Sequence, residues 1–293
     1  MRNFQSATPA LLMVLAFLLP ANSNAQISLD LNKLLEAPGK VQRATTELPE
    51  DKEIELGRGL AGRLFGVMPL VRDNTVQQYV NDLGWWLVSH TERANLPWRF
   101  AVTDTATIGA FATPGGHIIV TRGLFALMQD EHQLAGVLAH EIAHVLRKHH
   151  VKEIMREAQT SLLGDVASTA LSFLGGSSTE SQVAKAIGKE AFGAGMELYG
   201  KGLSREDELE ADAFGMVIAA RGGYDPGGLG ALLFTLDAMS PSTPSYELMH
   251  STHPNTRDRI NEIERAMEQG LEQYSGTLRD TGRFDSMKAR LFR

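Results

Sequence analysis

The sequence predicts an α+β fold, mostly helical, with one small β-sheet bracketed by helices. Three observations carry this. Apolar residues recur three and four apart through residues 51–66 and 74–92, the spacing of one buried helix face. Between residues 98 and 124 the period changes: "WRFAVTD" alternates as a half-buried strand, and "IGAFATPGGHIIVTRGL" reads as strand, Pro-Gly-Gly turn, strand. Helical periodicity then returns for nearly all the remaining chain, and a sheet set between helical runs is an α+β arrangement.

Taken in order, residues 1–25 read as a signal peptide. Arg2 is followed by an unbroken apolar run of nine residues from Leu11 to Leu19, then Pro20, then the small residues of "SNA" at Ser23–Ala25. Nine apolar residues are too few for a bilayer of about 30 Å. The expectation is an exported, periplasmic chain that begins near Gln26. There is no cysteine, so neither disulfides nor a cysteine lipid anchor can form, which suits an oxidising compartment. The net charge is −7 and no Lys/Arg run is present, so nucleic acid is not an expected partner.

Residues 26–50 read as a lead-in, 51–270 as the main domain, and 271–293 as a polar, weakly patterned C-terminal tail. Residues 160–200 are rich in Ala, Gly and Ser. Their segment "SLLGDVASTALSFLGG" is apolar, but Asp165 and its length argue against a membrane span and leave peripheral membrane contact as its membrane role. "ARGGYDPGG" at 220–228 is turn punctuation, and no internal repeat is present.

The chemistry is concentrated in "DEHQLAGVLAHEIAHVLRKHH", residues 130–150. Leu134, Val137, Leu138, Ile142, Val145 and Leu146 form one apolar face of a helix. On that helix His140 and His144 are four apart, so their rings project from one side and can share a zinc ion. Glu141, one residue on, lies beside the ion rather than on it, where it can take a proton from water. Two buried histidines and a glutamate on an apolar helix all need partners, and one metal ion answers that need.

Two places offer a third ligand. His150 stands ten residues after His140, an offset used where a glycine turns the chain back after the second histidine, but Arg147 occupies that glycine's position here. On a continuing helix His150 would lie about 15 Å along the axis from His140. His149 and His150 are therefore expected to end the helix as structural or surface residues, where its dipole favours cations. The other place is "GLSREDELEADAFGMVIAARGG", 202–223. Ser204 with Asp207 resembles a capping box, and Gly222–Gly223 with Pro226 ends the helix. Glu208 and Asp212 are four apart beside the small Ala211, where two helices can approach closely. Glu208 could then reach the ion and Asp212 the second nitrogen of a ligand histidine. Spacing alone leaves Glu208 and Glu210 open.

"HEIAH" followed by "SREDELEADAFG" resembles the HtpX and CAAX-prenyl-protease family of zinc metallopeptidases, in particular its exported bacterial members. The likeness covers about residues 50–265, including "LVRDNTVQQYVNDLGWWL", "LPWRF", "AFATPGGHIIVTRGL" and "STHPNTRDRI"; Gly109 departs from it, since the family often has Asn before the Ala-Phe pair. The resemblance implies a zincin-like (gluzincin) metalloprotease domain over 51–270, with one zinc per chain on His140, His144 and Glu208, Glu210 left off the ion, and Glu141 as the base. The implied substrates are polypeptides, namely unfolded or misassembled envelope proteins in a quality-control role. A zinc-binding chaperone with a lid-inhibited site is the alternative.

The resemblance also brings His253 near the ion, either as a stabiliser of the oxyanion or as a lid residue on the open metal position. His250, Tyr246 and Arg257 are weaker candidates. "GGHIIVT" at 115–121 reads as an exposed edge strand able to align a peptide by strand addition.

Overall fold

A computed structural model describes residues 48–166, 201–239, 253–275 and 282–292. The proposed signal peptide, most of 160–200, Tyr246 and His250 lie outside the described residues.

The chain opens with α1 (Glu50–Val67) and α2 (Asn74–Val88), the latter capped by Asp73, whose side chain accepts from the backbone of Thr75 and Val76. Then come β1 (Arg99–Thr103), β2 (Ala110–Thr113) and β3 (His117–Thr121). The order across the sheet is β1-β3-β2, with β1 parallel and β2 antiparallel to β3. The fold is thus mostly helical around a small mixed sheet, as the change of period predicts.

One expectation is corrected here: residues 117–121 are the central strand, not an edge. Ile118, Ile119 and Val120 are buried in succession, and such a continuous apolar run belongs to a strand covered on both faces. The β2–β3 turn works because Gly115 and Gly116 adopt φ of 76° and 98°, open to glycine without a Cβ clash. The outer edge of β1 is covered from α2. Gln77 exchanges hydrogen bonds with Val102, its Nε2 donating to the carbonyl at 2.8 Å and its Oε1 accepting from the amide at 3.0 Å. One turn along, Asn81 Oδ1 accepts from Phe100 N at 3.2 Å. Both satisfy backbone groups that an edge leaves open.

After the sheet, α3 (Arg122–Leu127) leads to α4 (Glu131–Leu146), whose N-cap Asp130 accepts from Gln133 N. Helix α4 is central to the domain and packs against α2, the sheet, α6 (Arg205–Arg221) and α7 (Gly228–Asp237). Nearly every residue of α4 is buried, so it cannot show the one-sided polarity of a surface helix. Helix α6 begins at Ser204, which accepts from Asp207 N, and ends at Gly222, as its sequence predicts.

The helix expected over 130–150 breaks after Leu146. Lys148 takes a left-handed conformation, φ 56°, and a new helix, α5 (His149–Val166), starts at once. No glycine marks this turn. Tertiary contacts hold it: Lys148 Nζ lies 3.3 Å from buried Glu53, and Arg93 donates to the carbonyl of Val145.

Helix α8 (Thr256–Ala266) lies against α6 and α7. The stretch expected to be a tail contains α9 (Arg283–Leu291), which docks on α2 and α3. Phe284 is buried and stacks on Phe125 with ring centroids 5.2 Å apart. Phe284 and Leu291 are buried and Met287 packs beside them, an i, i+3, i+7 apolar face in a short segment otherwise made of polar residues and one alanine.

Candidate metal centre

Helices α4 and α6 cross closely at Gly215, where an added Cβ would sit 3.0 Å from His140 N and 3.1 Å from its Cα. Together with Ala211, fully buried on the same helix, this small surface brings acidic residues of α6 onto the histidines of α4. His140 Nε2 and His144 Nε2 face each other at 3.0 Å. The Glu208 carboxylate lies 3.6 Å from the first and 3.5 Å from the second, and all three side chains are buried. His253 completes the group, its Nδ1 3.1 Å from Glu208 Oε2 and its Nε2 3.5 Å from Glu141 Oε1. His140, His144, Glu208 and His253 each offer a ligand atom, all within 4.8 Å of one another.

The outward nitrogens are also engaged. His140 Nδ1 lies 2.8 Å from Asp212 Oδ1, and His144 Nδ1 lies 2.9 Å from His149 Nδ1. Arg259, on α8, is buried against the same carboxylates: Nε and Nη2 donate to Asp212 at 2.8 and 2.7 Å, and Nη1 lies 3.0 Å from Glu208. Glu210 points elsewhere, to Arg147 and His149.

The electrostatics follow from burial and these neighbours. Burial and Arg259 oppose a proton on His140, but Asp212 and Glu208 outweigh them and raise its pKa to about 9. Burial, then His140, pushes His144 well down. Glu208 is held well below the usual carboxylate range because His253 and Arg259 outweigh its burial. Burial raises Glu141, the direction that suits a group required to gain and lose a proton.

The donor set fits a metal ion such as zinc. Two imidazole nitrogens and a carboxylate oxygen converge on one buried point, with the second nitrogens already held by other groups, as ligand histidines generally require. Among the described residues Glu141 Oε2 is buried with no hydrogen-bond partner, a costly state for a carboxylate oxygen unless something else is received there.

Residues 72–267 match the sequence model of peptidase family M48. The chain belongs to peptidase family M48. It is 30% identical over 258 residues to the beta-barrel assembly-enhancing protease of Escherichia coli (strain K12), covering 85% of this chain and 52% of that protein. The protein of the same name from Yersinia pestis is 29% identical over 245 residues, 83% of this chain and 49% of the relative. The mitochondrial metalloendopeptidase OMA1 of Schizosaccharomyces pombe is 27% identical over 186 residues, 64% of this chain and 51% of the relative. The chain spans about half the length of these curated relatives. The resemblance read from "HEIAH" and "SREDELEADAFG" agrees with this metallopeptidase family.

Several sequence expectations need correction. His149 and His150 do not finish a helix at the surface. They open α5 and are buried, with the His150 ring 5.3 Å from that of His144. Burial and His149 push the His150 pKa down to about 3. Arg257 is exposed and pairs with Asp237, so it is not at the site. Arg259 is the residue that sequence reasoning missed. The signal for it was present: Thr256, Ile260 and Ile263 mark the inner side of α8, and position 259 falls on that side.

Proposed function

We propose that this chain is a zinc-dependent metalloendopeptidase, with one zinc ion on His140, His144 and Glu208 and with Glu141 as general base. The observation that carries the reading is the convergence of both Nε2 atoms and the Glu208 carboxylate beside Glu141, whose Oε2 has no hydrogen-bond partner among the described residues. When bound, zinc supplies Lewis-acid polarisation and makes water acidic enough to lose a proton near neutral pH.

The chain's own residues do the rest. Glu141 accepts the proton as water adds to the scissile carbonyl carbon, then returns it to the departing amine as the C–N bond breaks. Asp212 receives His140 Nδ1–H and keeps Nε2 turned to the ion. Arg259 balances the charge of Asp212 and Glu208, and His253 stands where it can donate to the oxyanion formed at the carbonyl. The catalytic unit takes in residues 51–270 in a zincin-like (gluzincin) arrangement.

The substrates in this reading are polypeptides, unfolded or misassembled envelope proteins, and relatives named as beta-barrel assembly-enhancing proteases support it. A periplasmic location, reached through a signal peptide over 1–25, accords with that role, and no described helix is long and apolar enough to cross a membrane. A capped resting state is a second reading, favoured by the contacts of His253 with both Glu208 and Glu141.

The test is cleavage of an unfolded polypeptide by the wild type, by Glu141→Gln and by chelator-treated protein. Glu141→Gln is expected to keep its zinc and lose activity about 10²- to 10⁴-fold. Equal cleavage by Glu141→Gln would refute the mechanism.

A further inference from the structure

His149 has no part in the mechanism above, yet it is fully buried and both its ring nitrogens are engaged. Nδ1 lies 2.9 Å from His144 Nδ1, and Nε2 lies 2.9 Å from Glu210 Oε2. The other oxygen of Glu210 accepts from Arg147 twice, from Nε at 3.0 Å and from Nη2 at 2.6 Å. A series of four side chains therefore runs from the metal centre to a half-buried ion pair.

Its protons are fixed by chemistry. A neutral imidazole has one N–H and one lone pair. If His144 presents its Nε2 lone pair to the ion, its proton is on Nδ1, so His149 Nδ1 must accept. The proton of His149 is then on Nε2, donated to the carboxylate that Arg147 grips and orients.

We infer that His149 is a positioning residue for the metal centre: with Glu210 it holds His144 in the Nδ1–H tautomer that leaves Nε2 free for the ion. This rests on the metallopeptidase reading above and adds a second, longer support to the site. His140 is backed directly by the carboxylate of Asp212, whereas His144 is backed by a carboxylate acting through a second imidazole.

The backbone supports the assignment. A non-glycine residue in the left-handed region costs on the order of 1 kcal/mol, and such outliers persist only where their surroundings hold them. Lys148 is the outlier here, with its ammonium 3.3 Å from Glu53. A straight continuation of α4 would carry residue 149 up the axis and away from His144. The turn at Lys148 lays its ring against His144 instead, with centroids 5.1 Å apart.

The same protons argue against a second ion among His149, Asp207 and Glu210, whose ligand atoms also lie within 4.8 Å of one another. Nε2 has no lone pair to offer while it donates to Glu210, and Arg147 already neutralises that carboxylate.

The experiment measures zinc affinity by chelator competition on the full chain and on His149→Phe, His149→Asn, Glu210→Gln and His144→Ala. Thermal unfolding of the metal-free proteins and long-range proton–nitrogen spectra of the zinc-loaded wild type accompany it. His149→Phe is expected to weaken zinc binding about 10- to 100-fold. His149→Asn, whose side-chain oxygen can accept in place of Nδ1, recovers most of that loss. Glu210→Gln keeps an acceptor oxygen at the half-buried end, so it weakens zinc binding while the metal-free protein still folds, with a lowered unfolding temperature, and it carries the test should the Phe variant fail to fold. The spectra show His149 as the Nε2–H and His144 as the Nδ1–H tautomer, with one zinc per chain. Wild-type affinity in both His149→Phe and Glu210→Gln, the opposite tautomer of His149, or a second zinc lost on His149→Asn overturns the relay. Full zinc in His144→Ala overturns the metal-centre reading and the relay with it. Zinc lost there but bound normally by His149→Phe overturns the relay alone.

Discussion

Arg259 grips Asp212 with two hydrogen bonds, Nε to Oδ2 at 2.8 Å and Nη2 to Oδ1 at 2.7 Å, and the same Oδ1 lies 2.8 Å from His140 Nδ1. A buried guanidinium thus orients the carboxylate that in turn orients a proposed ligand. Removing one partner of a buried ion pair costs about 3–5 kcal/mol, because the other charge is left uncompensated. Arg259→Ala is therefore expected to lower both zinc affinity and stability. Arg259→Lys should recover part of the stability but little of the affinity, since an ammonium cannot reproduce the planar two-point grip. Denaturant unfolding and chelator competition on the two variants check this; full affinity in the Lys variant would show that charge alone suffices.

Glu208 and His253 stand at the same point but with different proposed duties. Glu208→Gln is expected to lose zinc, because a neutral amide replaces the single anionic ligand. His253→Gln is expected to keep it and to lower kcat with little change in KM, as loss of an oxyanion donor does, by about 10²- to 10³-fold. Metal analysis and steady-state kinetics separate the two. A rise in activity for His253→Gln would favour the capped resting state instead.

The approach of α4 to α6 predicts a distance effect at a residue that touches no metal. At Gly215 an added methyl meets the backbone of His140, which cannot rotate away, so the helices must part by a few tenths of an ångström. Gly215→Ala should cost about 1–3 kcal/mol through overpacking and weaken zinc binding as Glu208 draws back. Gly62, exposed in α1 with nothing within 4 Å of an added Cβ, is the control. Gly62→Ala should instead add about 0.5–1 kcal/mol by removing a flexible residue from a helix. Calorimetry on both variants tests the contrast.

The parts of the fold legible in the sequence are those set by local chemistry. The α6 cap at Ser204, the glycine turn between β2 and β3 and the shared side of His140 and His144 all follow from residue spacing and conformational preference. What stayed hidden is what distant residues impose. No glycine or proline interrupts the sequence at Arg147, and residues remote in sequence, Glu53 and Arg93 together with Glu210, hold the turn at Lys148 that buries His149 and His150. Strand order was hidden for the same reason, since β3 becomes central only when β1 pairs in parallel across the intervening β2. The choice between Glu208 and Glu210 rested on family resemblance. In the structure Glu208 lies against His140 and His144, while Glu210 is held by Arg147 and His149, which supports the same choice.

The docking of α9 matters for the metal centre through Glu131, at the start of the helix that carries His140 and His144. Glu131 accepts from Tyr79 and Tyr224 hydroxyls and from Arg283, each at 2.9 Å, and Arg283 adjoins Phe284 in α9. Arg283 is half exposed, so its ion pair should contribute no more than about 1 kcal/mol. Phe284 is 2% exposed, and its truncation should cost about 3–5 kcal/mol if α9 unfolds together with the domain. Phe284→Ala is accordingly expected to shift the single denaturation midpoint well below that of Arg283→Ala. Hydrogen exchange decides the point: if amides of α9 open in Phe284→Ala while those of α4 keep wild-type protection, the C-terminal helix is an independent unit and the argument from Glu131 fails.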